Sequence, residues 1–169
     1  NSLIKEVEYC YENYFPTKAA RAIQNFVSEN LSNWFVRLSR KRYWGGEYST
    51  DKIPAYQTLY TCLEAVAQLA APISPFYTEQ LFLALNSVSN SHSETSVHLS
   101  YFPKYNEKYI DKDLEAKMEI AQKICSMVLS LRRKVNIKVR QPLSQIMIPI
   151  LDEKHVEKIN AIEKIILSE

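Results

Sequence analysis

Arg37, Arg40, Lys41 and Trp44 are the residues of this 169-residue chain whose types and spacing best support chemistry, and that chemistry is recognition of a polyanion. They lie in Asn33–Trp44, NWFVRLSRKRYW, a run with two tryptophans, a phenylalanine, a tyrosine, three arginines and a lysine but no acid. Placed on a helix at about 100° per residue, Val27, Leu31, Trp34, Phe35 and Leu38 fall on one side, with Arg42 among them. Asn33, Arg37, Arg40 and Trp44 fall on the other, with Lys41 beside them. The first side suits a helical core, and Trp34 and Phe35 read as core residues. The second is a cationic stripe: Arg37 and Arg40, three apart, project side by side and can bridge consecutive phosphates. Trp44, one turn on, offers an indole on which an unpaired base can stack. For Arg42, on the apolar side, an internal salt bridge to an acid competes on at least equal terms with contact to nucleic acid.

A second acid-free basic run, LRRKVNIKVRQPL at Leu131–Leu143, carries Arg132, Arg133, Lys134, Lys138 and Arg140. It straddles the end of a predicted helix and an extended segment, so basic groups point out from two directions; domain–domain packing is an equal alternative. The net charge of +2 hides this concentration: outside the two runs the chain holds 12 basic against 19 acidic residues. A net-acidic body with two basic runs fits a localised polyanion contact better than general stickiness. Solvated helix faces are the commoner explanation of one such run, and a protein-interaction scaffold with basic faces is the alternative from another functional class.

Catalytic and metal chemistry find no support. His92, His98 and His155 are scattered, without a partnered carboxylate or nucleophile at informative spacing, and read as structural or surface residues. Glu79, on a short helix after two prolines, reads as a local capping or pairing group rather than an acid–base catalyst. There is no phosphate-binding glycine loop, dinucleotide fingerprint or metal box. Cys10, Cys62 and Cys125 are dispersed within apolar patterns and read as buried thiols in a reducing compartment. No apolar run approaches the 18 residues of a membrane span, and no secretory signal is visible.

The elements that position these groups are helices. Only two glycines, Gly45 and Gly46, occur in the chain, which argues against a turn-rich β fold. Apolar spacing predicts a helix over 2–14, broken by Phe15-Pro16, and a long helix over about 18–43, capped by Thr17 and ended by Gly45-Gly46. After a polar turn around Ser49–Asp51, a helix begins near Pro54, and a short one covers Phe76–Leu85. The Ser/Asn-rich stretch 86–96 reads as a mobile loop and Val97–Pro103 as extended. Asp111 or Asp113 caps a helix over about 113–135. Ile137–Ile150, with β-branched residues and the run IMIPI, reads as a strand, followed by a helix over 152–167. A strand with no partner is an incomplete unit, so the expected architecture is all-α: a helical domain over residues 1–141, with a truncated α/β segment at 142–169. The Asn-Ser start agrees with an excised piece of a longer protein.

NWFVRLSRKRYW resembles the signature helix of the anticodon-binding domain of class I isoleucyl-tRNA synthetases. KAARAIQNFVSENLSNW at 18–34, SVHLSYFP at 96–103 and LRRKVNIKVRQPL point to the same family, whereas LAAPISPFYTEQL at 69–81 is shared more loosely with the valyl, leucyl and methionyl relatives. The resemblance implies an antiparallel helix bundle that docks along the inner side of tRNA(Ile) towards the anticodon. It carries tRNA contact to Arg37, Arg40, Lys41, Arg42 and Trp44, and with them Arg133, Lys134, Lys138 and Arg140. It implies a cytoplasmic, monomeric parent enzyme that uses ATP and magnesium, with zinc possible elsewhere, and an upstream catalytic domain as a partner in the same chain. The HIGH and KMSKS motifs that serve ATP in the family are absent here, so the resemblance implies no cofactor and no catalytic site in this piece.

Overall fold

Leu3, Ile4, Val7, Cys10 and Tyr11 recur at three-and-four spacing and form the inner stripe of α1 (Ser2–Glu12) in the computed structural model, which describes residues 1–45, 50–149 and 153–167. The chain divides into two compact units, Asn1–Ile110 and Asp111–Glu169. The sequence boundary near residue 141 falls inside the second.

In the first unit α1 ends in a Schellman turn. Asn13 is followed by Tyr14 at φ 59°, the Phe15 amide donates to the Cys10 carbonyl at 2.7 Å and the Tyr14 amide to the Tyr11 carbonyl at 3.2 Å. α2 (Pro16–Asn25) starts on Pro16, whose missing N–H is one that a first helical turn does not need. Thr17, the cap expected from sequence, therefore lies inside the helix, and Phe15 takes the cap position without a side-chain hydrogen bond. Val7, Cys10, Ala19 and Ile23 pack with Val66 and Leu69 of α4 (Lys52–Ala70) into one core, and the Tyr11 hydroxyl donates to the Leu69 carbonyl at 2.8 Å.

The single long helix expected over 18–43 is interrupted. Phe26–Val36 is π-helical, Ser39 is a buried turn residue, and a separate short helix, α3, covers Arg40–Trp44. The sequence offers a reason: Ser28, Asn30, Ser32 and Asn33 compete locally for backbone hydrogen bonds and favour an i→i+4 ladder poorly. A π turn is wider, so the 100° projection does not hold there. Of the predicted apolar side only Leu31 is fully buried, while Val27, Trp34, Phe35 and Leu38 are half-buried. α3 ends at Gly45, which has an ordinary extended conformation (φ −59°, ψ 134°) rather than a left-handed one. Gly46 and Ser49, part of the predicted stop and turn, lie outside the described residues.

α4 begins two residues ahead of Pro54, and α5 (Pro75–Ser89) starts on Pro75 and runs past the predicted end at Leu85. The Ser/Asn-rich stretch is therefore partly helical. The rest is pinned rather than free, because the Asn86 side chain bonds the His92 backbone in both directions, at 2.9 and 3.0 Å. Glu79 then accepts from the Ser96 hydroxyl and the Val97 amide, each at 2.9 Å, and anchors a 3₁₀ turn at Val97–Leu99 where an extended segment was expected. Buried Val97 closes a second core with Ala67, Ala71 and Phe82. Onward, the chain straps α1: Phe102 meets Tyr11 edge-on, the Asn106 amide donates to the Asn1 side chain, and Lys5 pairs with Glu107. That pairing pushes the Lys5 ammonium up and holds the Glu107 carboxyl below its usual range.

In the second unit Asp111 caps α6 (Lys112–Lys134), accepting from the amides of Asp113 and Leu114 at 3.1 and 2.9 Å. Acids fill its first turn and Arg132, Arg133 and Lys134 its last, matching the helix dipole. A Schellman turn on Asn136 (φ 56°) ends it, with the Ile137 amide on the Arg132 carbonyl at 2.9 Å. α7 (Glu153–Leu167) runs beside α6 in the same direction: Lys158 lies 3.6 Å from Asp113, and Ile166 lines a groove with Cys125 and Val128. The strand expected from Ile137 is not formed. Residues 137–149 are irregular, and no strand occurs among the described residues. β-branched composition cannot hold a strand without a partner, and Pro142 and Pro149 remove two ladder donors.

Two outcomes test this description. Tyr14 is 90% exposed, so it holds a left-handed conformation with no packing to compensate; Tyr14→Gly should raise stability by about 1 kcal/mol, seen as a higher urea midpoint at unchanged slope. Glu79→Ala leaves the buried end of the 3₁₀ turn without its acceptor and should lower stability by about 2 kcal/mol in the same measurement.

Candidate nucleic-acid interface

The stripe predicted on one helix is divided between the end of the π-helical segment and α3. Arg37, half-buried one residue past that segment, donates from Nε to the Asn33 carbonyl at 2.9 Å. Beyond the Ser39 turn, Arg40 and Lys41 are exposed and Trp44 is 78% exposed. The Arg40 guanidinium lies over the Trp44 ring, 5.6 Å from its centroid. Two groups that nucleic acid recognises by different physics, a cation and an indole face, are thus stacked on each other at the surface.

The opposite side of α3 is committed to α4. Arg42 donates from Nε and Nη2 to the two carboxylate oxygens of Asp51 at 2.6 and 2.7 Å, and Nη2 also reaches the Asp51 carbonyl at 3.2 Å. The carboxylate raises the Arg42 guanidinium above its usual range. Of the two fates open to Arg42 from sequence, the ion pair is the one observed. Buried Tyr43 packs its ring 5.0 Å from that of Tyr56 and donates to the Ala55 carbonyl at 3.4 Å, and burial pushes its phenol up. Lys52, nearly buried, donates from Nζ to the Gly45 carbonyl at 2.6 Å, satisfying a carbonyl just past the end of α3. Asp51, Lys52 and Tyr56 were not singled out from sequence. The available signal was an acid at a helix start, which pattern reading assigns to capping; in the structure its side chain makes no capping bond.

The second basic run behaves in a parallel way within its own unit. Arg133, Lys134, Lys138 and Arg140 are exposed. Arg132 turns back, donating from Nη1 to the carbonyls of Lys138 and Gln141 at 3.1 and 2.8 Å, and so folds the segment after α6 onto the helix end.

His92, which spacing leaves without a partner, is in fact paired with a carboxylate: its Nε2 lies 2.6 Å from Glu64, which also accepts from the Tyr60 hydroxyl at 3.1 Å. The separation of 28 residues hid the pair from spacing arguments. With the ring tilted on Phe82 at 5.0 Å and Tyr60 bonding both Glu64 and Ser89, the pair serves to fasten the segment after α5. His98 is exposed, and the His155 side chain lies outside the described residues. Among the described residues, no three His, Cys, Asp or Glu side chains are grouped to hold a metal ion, and no helix is long and apolar enough to cross a membrane. The three cysteines are free thiols, Cys10 and Cys125 buried and Cys62 partly so, and burial pushes the Cys62 thiol up.

Comparison with known proteins gives the family. Residues 1–148 match the family described as the anticodon-binding domain of tRNA ligase. The chain is 59% identical over its full length to an isoleucine–tRNA ligase of Bacteroides thetaiotaomicron, covering 14% of that protein, and 56% identical over 168 residues to that of Cytophaga hutchinsonii, covering 15%. Against the isoleucine–tRNA ligase of Clostridium tetani the identity is 47% over 150 residues, covering 14% of that protein. The chain thus spans about one seventh of the length of these relatives. With this match over most of its length and an all-α body, the chain belongs to the anticodon-binding domains of tRNA ligases.

Proposed function

We propose that this chain is the part of an isoleucine–tRNA ligase that holds the anticodon arm of tRNA(Ile), with the outward face of α3 as the contact. The observation that carries the reading is the exposed Arg40–Trp44 stack, with Lys41 next to it and Arg37 on the preceding turn. Phosphate neutralisation by these cations supplies affinity and makes it steeply salt-dependent, because each contact releases condensed counterions. Trp44 supplies a platform for a base splayed out of the loop, where single-stranded edges are accessible as they are not in an A-form helix. Arg133, Lys134, Lys138 and Arg140 add a second phosphate-directed group.

In this reading the whole protein is a monomeric cytoplasmic enzyme that joins isoleucine to its tRNA at the expense of ATP, and its catalytic domain, upstream in the same polypeptide, is the other partner of this chain. ATP, magnesium and any zinc are held, in this reading, by other parts of that polypeptide.

Titration of a tRNA(Ile) transcript against the chain over a range of salt tests the proposal. Joint Arg37→Glu and Arg40→Glu substitution should weaken binding at least about tenfold and flatten the salt slope by roughly 0.7–0.9 per lost phosphate contact, with helicity intact. Trp44→Ala should cost about 1–3 kcal/mol at every salt concentration and leave the slope unchanged, as loss of a stacking platform does. Unchanged affinity in the charge-reversed protein rejects α3 as the contact. Equal affinity for valine, leucine and methionine tRNAs rejects the assignment to isoleucine.

A further inference from the structure

Asp51 is an acid at the start of α4 that does not cap its own helix, and both of its carboxylate oxygens are given to Arg42. An aspartate in that position ordinarily accepts from the amides of its first turn. Here that stabilisation is forgone in favour of a bidentate ion pair reaching back nine residues. The pair joins two short pieces of backbone, since Arg42 Nη2 also binds the Asp51 carbonyl and the neighbouring Lys52 binds the Gly45 carbonyl.

α3 has five residues. Helices much shorter than about 12 residues do not persist on their own in water, so its direction is set by what holds it. Four residues at the start of α4 hold its inner side: Asp51, Lys52, Ala55 and Tyr56. Buried Ser39 anchors the turn that precedes it, through its carbonyl to the amides of Arg42 and Tyr43 and through its side chain to that of Tyr43. Tyr43 packs inward with Arg42, whereas Arg40, Lys41 and Trp44 are exposed on the other side.

We propose that Asp51 is a positioning residue for tRNA: through Arg42 it fixes the direction of α3 and so presents the Arg40–Trp44 stack. The tRNA half of this proposal rests on the reading of α3 as the contact; the clasp does not. Its consequence runs against simple electrostatics. Removing a negative charge beside four cations should tighten binding to a polyanion, whereas loss of a positioning group should weaken it.

Asp51→Asn makes the test, because asparagine is as good a helix cap as aspartate and the side chain is mostly exposed, so the variant folds. The measurements are tRNA(Ile) affinity at low salt and hydrogen exchange of the α3 amides. The variant should bind about fivefold more weakly despite its added positive charge, with faster exchange at Arg42, Tyr43 and Gly45 and unaltered exchange in α1 and α2. The swapped protein, Arg42→Asp with Asp51→Arg, should recover both protection and affinity. Tighter or equal binding with unchanged α3 exchange overturns the proposal, as does faster exchange without loss of affinity. Failure of the unaltered chain to bind tRNA would bring down the functional reading and the tRNA role of Asp51 with it. The exchange data would still decide whether Asp51 holds α3.

Discussion

Five residues of helix followed by a glycine have no independent stability in water, so the outward face of α3 depends on its grip by α4. That grip is chemically mixed. A charged fork closes on a carboxylate, an ammonium takes up a carbonyl just past the helix end, and two tyrosine rings pack against each other. A hydrophobic contact alone would leave α3 free to roll, since apolar burial is non-directional. The bidentate arginine pair adds orientation, because its two parallel hydrogen bonds form only in one plane. The platform for α4 is in turn the core that Val66 and Leu69 share with α1 and α2. The outward face of α3 is the last in a series of contacts that begins with ordinary packing.

Scarcity of glycine shapes how the helices end. The left-handed positions among the described residues fall on Tyr14, Asn90 and Asn136, after α1, α5 and α6 respectively. Asparagine tolerates this conformation through its short polar side chain, so two of the three cost little. Tyr14 is the exception, and its strain is offset by the two Schellman hydrogen bonds that turn the chain into α2. These turns are tight: Asn13–Phe15 joins α1 to α2, and residues 71–74 join α4 to α5. Short connections make neighbours antiparallel. Where the connection is long, from Val135 to the start of α7, the two helices run in the same direction instead.

The helices of α1, α4, α5 and α6 were legible because each carries a one-sided apolar stripe with proline, aspartate or asparagine at its ends, and those signals act within a few residues. The features that were not legible depend on partners far along the chain. Glu79 on Val97, Glu64 on His92 and Arg42 on Asp51 involve side chains whose sequence context suggests local capping, isolation or core. Nothing at position 92 announces an acid 28 residues earlier. The π-helical segment is a different failure. Its apolar spacing fits a 3.6-residue period well enough to be read as α-helix, and only the density of serine and asparagine hints that the ladder shifts. Ile137–Ile148 shows the converse: a strand composition is a statement about packing against neighbouring strands, and with no strand among the described residues to pair with, the segment stays irregular.

The two basic runs share a design that composition does not reveal. Each turns arginine onto its own backbone or a neighbouring acid, Arg42 to Asp51, Arg37 to the Asn33 carbonyl and Arg132 to the carbonyls of Lys138 and Gln141. Arg40, Lys41, Arg133, Lys134, Lys138 and Arg140 stay exposed. Arginine suits the inward role because its planar fork satisfies two acceptors at once and stays charged, whereas a lysine makes a single point contact on a flexible stem. The exposed members mix both types. Counting charges therefore overstates the number of cations free to meet a partner. A substitution of Arg42 or Arg132 should change the shape of the surface before it changes its potential, whereas one at Arg40, Lys41 or Lys138 should do the reverse.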